Sequence, residues 1–177
     1  MKLRFLLRQL KKRVLRTVAI ACGAELPWAG RVTIAIRYTD GSIEVHRAEN
    51  VITNVGKNMF RDILQGAQTD GIVRWVALGS GTTVESNTQT TLVTEQFRKV
   101  VTKFSTSGLG AGQVQTISYI APADANTFTI TEIGWFASPT ATSTANSGIM
   151  IARILLGTSI SKTSLQSITI TRTDSIG

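Results

Sequence analysis

Cysteine, histidine, proline and early acidic residues are what this sequence has least of. Cys22 is the only cysteine among 177 residues, which excludes an intramolecular disulfide and a thiolate metal site and fits folding in a reducing cytosol. His46 is the only histidine. It ends an alternating run, where an exposed imidazole is expected rather than a general base or a ligand. No Gly-x-Ser-x-Gly elbow occurs, and Cys22 has no nearby partner, so no motif supports nucleophilic catalysis. Clusters of His, Cys or Asp at a metal-ligand spacing are missing as well. The expectation is a protein that is not an enzyme and carries no cofactor.

Long apolar runs are absent too. The longest near the start, residues 17–24, is at the short limit for a signal-peptide core and far below the roughly 20 residues a membrane span needs. The first acid is Glu25. Seven of the nineteen basic residues precede it, leaving twelve to face all eleven acids in the rest of the chain. The net charge of +8 therefore belongs to one tail, and the near-neutral remainder does not read as a nucleic-acid groove.

Within that tail Leu3, Leu7, Leu10 and Val14 repeat at helical spacing. Lys11, Lys12, Arg13 and Arg16 are among the basic residues on the other faces, so residues 2–21 read as an amphipathic helix. Gly23 ends it and Pro27 prevents its return. Packing on its own body or on a neighbour, with the charge aimed at a partner, is favoured over membrane insertion. Residues 1–30 are taken as a docking arm and linker, and residues 31–177 as the body. Trp28, beside Pro27 at the junction, is placed at an interface.

From Arg31 the period changes to two. Val32, Ile34, Ile36 and Tyr38 alternate with polar residues, Asp40-Gly41 signals a hairpin turn, and Ile43 and Val45 return. Asn54 is expected to cap a short helix with Val55, Met59, Phe60, Ile63 and Leu64 on one face and Gly66 at its end. Further strands are expected over residues 72–78, 114–120, 149–156 and 165–172. Residues 92–104 hold neither period cleanly and lean to strand. Residues 138–147, all small and mostly polar, read as an exposed, mobile loop. Many strands at short spacing predict a mainly β fold: an antiparallel β-sandwich with one short helix besides the basic one. A barrel is the alternative.

Residues 127–137 form the most apolar strand pattern, and Glu132 lies inside it. A buried carboxylate is costly unless a cation meets it, and Arg98 and Arg153, each in an apolar run, are the candidates. Glu95 and Glu132 as a glycosidase pair are set aside in favour of structural ion pairs. Gly134 permits a close approach or marks a bulge. The run Gly79-Ser80-Gly81-Thr82-Thr83 follows a strand but lacks the Lys and Ser/Thr of a phosphate loop, so it reads as a turn. Trp75 and Trp135 fall in apolar runs and are assigned to the core.

Five stretches in order carry a resemblance: Val-Ile-Thr-Asn-Val-Gly at 51–56, Trp-Val-Ala-Leu-Gly-Ser-Gly-Thr-Thr at 75–83, Leu-Val-Thr-Glu-Gln-Phe-Arg-Lys at 92–99, Phe-Thr-Ile-Thr-Glu-Ile-Gly-Trp-Phe at 128–136, and Ile-Met-Ile-Ala-Arg at 149–153. Together they resemble the N-terminal attachment domain of bacteriophage tail fibres of the tail-collar type and related tail or baseplate proteins. The resemblance spans about residues 50–172. It implies a non-enzymatic virion part in the tail, collar or neck, made in the host cytoplasm, present in several self-associating copies and joined to other virion proteins. In that family Glu95, Arg98 and Glu132 would be recurrent polar positions. The basic helix is not part of the pattern and suggests a plug into a neighbour or a contact with DNA. Two other readings stand beside this one: a head or packaging protein contacting DNA through residues 2–16, and a carbohydrate-binding module, which needs exposed aromatics.

Overall fold

The computed structural model describes residues 28–176. The docking-arm residues Leu3, Leu7, Leu10, Lys11, Lys12, Arg13, Val14 and Arg16 lie outside them. The described residues are mainly β, with strands β1 (Trp28–Tyr38), β2 (Ile43–Ile52), β3 (Val73–Gly79), β4 (Glu95–Val100), β5 (Lys103–Ser105), β6 (Gln113–Ile120), β7 (Thr129–Ala137), β8 (Ile149–Ser161) and β9 (Gln166–Ile176), and among them one helix, α1 (Asn54–Leu64).

Alternation decides most of these elements. In β1, Val32, Ile34 and Ile36 are buried while Arg31 and Arg37 are exposed, the pattern of a strand with one dry face. The hairpin expected at Asp40-Gly41 joins β1 to β2 in register from Gly30↔Asn50 to Arg37↔Ile43. Strand β1 begins three residues earlier than the alternation announced, so Trp28 belongs to the body rather than to the linker.

All nine strands form one hydrogen-bonded sheet in the order β4-β3-β7-β8-β2-β1-β9-β6-β5, antiparallel throughout. The end strands of that order, β4 and β5, are separated by only Val101 and Thr102 in sequence. The Val101 amide donates to Arg74 in β3 and the next amide, of Thr102, donates to Ile117 in β6. Three peptide steps reach about 11 Å at most, so the sheet's two edges must approach each other there. The sheet curls into a half-barrel. This also resolves the ambiguous residues 92–104, which are two strands on opposite edges with the break between them.

Both halves of the curl contribute to one core. Val32, Ile34, Ile36, Ile120, Ile168 and Ile170 come from β1, β6 and β9, and Val76, Leu78, Ile133, Trp135, Ile151 and Ile154 from β3, β7 and β8. Burying a Val, Leu or Ile side chain contributes about 1.5–3 kcal/mol, which makes this core the main source of stability. Helix α1 closes against β8: a Cβ at Gly56 would lie 2.7 Å from the Ile151 Cα. Its N-cap is Thr53, not Asn54, because the Thr53 hydroxyl accepts from the Gly56 amide. Leu64, placed on the packed face by helical spacing, is 73% exposed.

Candidate functional site

Strand β7 is buried on both faces. Ile133, Trp135 and Ala137 belong to the main core, whereas Phe136 joins a second cluster with Ala77, Leu92 and Met150. Simple parity puts Glu132 with Ile130, but the register shifts between Ile130 and Glu132 and Ile130 packs in the main core. Glu132 instead accepts from the loop between β3 and β4. The Gly134 position is filled by Leu92, whose Cδ2 would lie 2.9 Å from an added Cβ, and a second register shift falls between Trp135 and Phe136.

Glu132 has no accessible surface. Its carboxylate accepts from the amides of Gly81 at 3.1 Å, Val93 at 3.2 Å and Thr94 at 2.8 Å, and from Arg153 Nε at 2.8 Å. Arg153, equally buried, donates onward to Gln89 Oε1 at 3.0 Å and to the Thr83 carbonyl at 2.9 Å. Both partners of this ion pair thus hold residues 81–94. Gly79 and Gly81 are small because a Cβ would meet the Glu132 Oε1 at 2.6 and 2.4 Å respectively. The glycines that read as a turn also vacate the space the carboxylate occupies.

Arg98 does not meet Glu132. It pairs with Glu95 through Nε at 2.7 Å and Nη2 at 3.0 Å, a two-pronged contact that suits the planar guanidinium. Its Nη1 donates to the Thr142 carbonyl at 2.8 Å and to Ser147 Oγ at 2.9 Å, and its Cζ lies 4.5 Å from the Phe136 ring centroid. Glu95 accepts from the Asn146 amide at 2.8 Å, and Asn146 Oδ1 accepts from the Leu92 amide at 3.0 Å. Residues 138–147, expected as a mobile loop, are therefore tied to the loop that Glu132 and Arg153 hold. The product is a two-loop platform over the outer side of β3, β7 and β8. Its surface is rich in Thr and Ser and exposes Val84 and Val93.

A third buried pair escaped the sequence reading. Arg172 is fully buried and meets Asp174, which also accepts from Trp28 Nε1 at 2.9 Å. The guanidinium lies 5.3 Å from the Trp135 ring centroid, and burial holds it below its ordinary pKa against the pull of Asp174. The available signal was parity: Arg172 and Asp174 continue the inward series of Ile168 and Ile170. Trp28, expected at an interface, is half-buried in its own body and tilts against Phe60 at 5.9 Å. A cleft of about 270 Å³ opens beside it, lined by Arg31, Glu49, Asn50, Lys57 and Asn87 among others. Its charges are mixed.

His46 sits on the hairpin, 2.9 Å from Glu44. Trp135 is fully buried and Trp75 partly so, beneath Arg98. No described helix is long and apolar enough to cross a membrane. Compared with protein-family models, with curated proteins and with solved structures, the chain finds no match.

Proposed function

We propose that this chain is a non-enzymatic structural protein of a bacteriophage tail, collar or neck. It links tail components through self-association of its body and through a docking arm in residues 1–30. Within this proposal the two halves of the curled sheet act as the layers of a β-sandwich, β5, β6, β9, β1 and β2 against β8, β7, β3 and β4.

One observation carries the reading. Four buried charges, Glu132, Arg153, Glu95 and Arg98, are used to hold two loops in fixed positions, which is the work of an assembly surface. Three of the five stretches that resemble the tail-attachment family supply these residues, and a fourth, residues 75–83, contributes Gly81, whose amide donates to Glu132 at 3.1 Å. The fifth, residues 51–56, contributes Thr53, whose amide donates to Ile151 at 3.1 Å beside them.

Quantitative mass spectrometry of density-purified particles tests the proposal. A fixed ratio of this chain to the main shell protein is expected, at a few copies per particle; absence from particles would overturn it. The DNA-contact alternative rests on the seven basic residues before Glu25 and predicts an affinity that falls steeply with salt. Docking through Leu3, Leu7 and Leu10 would persist in salt. The carbohydrate alternative has less support, because Trp135 has no face free for stacking.

A further inference from the structure

The outer face of the β2-β1-β9-β6 half can be reconstructed row by row from its register. Val45, Ala35, Thr169 and Tyr119 stand side by side across four strands. Arg47, Thr33, Thr171, Ile117 and Lys103 form the next row, and Ile43 lies beside Arg37 in the row on the other side. Ile43, Val45 and Tyr119 are 52%, 43% and 43% exposed. Arg37, Arg47 and Lys103 are exposed, and none is within ion-pair distance of a carboxylate among the described residues. The face is an apolar row with an unpaired basic rim.

The two-loop platform has the opposite character. Residues 80–94 and 139–148 contain no Lys or Arg, and Glu85 is their only charge. Glu85 has no cation partner among the described residues. Val84 and Val93 are exposed by 55% and 48%. The platform covers the outer side of one half of the curl, and the basic face is the outer side of the other. The main core lies between them, so the two surfaces point away from each other and cannot meet within one chain.

We propose that these surfaces meet between chains, the platform of one copy seating on the Val45–Tyr119 face of the next. This rests on the self-association in the proposed function and names the surfaces that carry it. The apolar row requires an apolar partner surface, which a phosphate backbone does not offer. The basic rim favours the platform, whose one charge is the Glu85 carboxylate, over a second basic face, so the contact is head-to-tail. A head-to-tail contact repeats, closing into a ring or growing as a filament. The buried ion pairs beneath the platform supply pre-organisation, so little loop ordering opposes the contact.

The test uses the full chain and two variants at outward side chains, Val45→Glu on the face and Val84→Gln on the platform, with circular dichroism confirming their fold. Native mass spectrometry and sedimentation should find the wild type in closed or extended assemblies. Each variant alone should weaken assembly by about tenfold or more, the effect of roughly 1.4 kcal/mol lost at the interface. Mixed together, the two variants should give one-to-one dimers, because each keeps the surface the other lacks. A monomeric wild type would remove the self-association reading itself. Wild-type assembly untouched by either variant would overturn only the assignment of surfaces and direct attention to residues 1–30. Assembly lost in both variants without dimers on mixing would overturn the head-to-tail arrangement and indicate a two-fold contact.

Discussion

At the scale of single residues, the behaviour of this molecule turns on charges kept away from water. A buried ion pair adds little net stability, but removing one member leaves the other uncompensated at about 3–5 kcal/mol. Glu132→Leu should therefore lower unfolding stability by that amount, because Arg153 stays buried and three loop amides lose their acceptor. Urea denaturation reads the change; an unaltered midpoint would refute the role of the pair. Gly81→Ala tests the same site from the other side, since a Cβ there lies 2.4 Å from Glu132 Oε1 and 2.6 Å from Val93 Cβ. It should cost about 1–3 kcal/mol by overpacking. Asp124 tests the acid limb of stability. Lys99 hydrogen-bonds its carboxylate and, together with the Ala121 amide, holds its pKa below the ordinary 3.8. The folded pKa is the lower one, so this stabilisation is present above the unfolded value and lost as pH falls through the folded value. Lys99→Met should lower stability at neutral pH and flatten its fall below about pH 4, as followed by denaturation across that range.

At the scale of elements, loops and caps decide more than the strands do. Thr53 stands between β2 and α1, where its hydroxyl accepts from Gly56 N and donates to the Met150 carbonyl of β8. One side chain both starts the helix and fastens it to the sheet. Thr53→Ala should cost about 1–2 kcal/mol, and hydrogen exchange should show α1 opening before the sheet. Helical spacing located this helix but not its cap. Asn54 and Thr53 are both good caps, and the choice fell to Thr53 because only its hydroxyl also reaches Met150. Leu64 fits the helical stripe, yet as the last residue of α1 it stands exposed. The loop at 138–147 looked mobile because its residues are small and polar. What pins it is Arg98, more than forty residues earlier in the chain, and no local pattern records that contact.

At the scale of the whole molecule, the described residues contain their own core, with both halves of the sheet contributing. Deleting residues 1–24 should leave a body that unfolds cooperatively but no longer joins its partner. Calorimetry and incorporation into particles are the two readouts, and retained incorporation would remove the docking role. The alternation in β1 and β9, the strand at β6, the hairpin at Asp40-Gly41, the segregation of charge into the first 24 residues and the need for a cation near Glu132 were legible in the sequence, because each depends on local period or composition, whereas Ile43 and Val45, which continue the alternation into β2, lie exposed on the outer face. Tertiary structure alone decided that Arg153 rather than Arg98 meets Glu132, that Trp28 joins Asp174 and the Arg172 guanidinium lies over Trp135, and that β4 and β5 lie on opposite edges of a sheet that curls back on itself. These are outcomes of register and bulges, and a shift of one residue in register moves every side chain of a strand to the other face. The period of a strand is written in its own residues, whereas its partner is chosen by the rest of the chain.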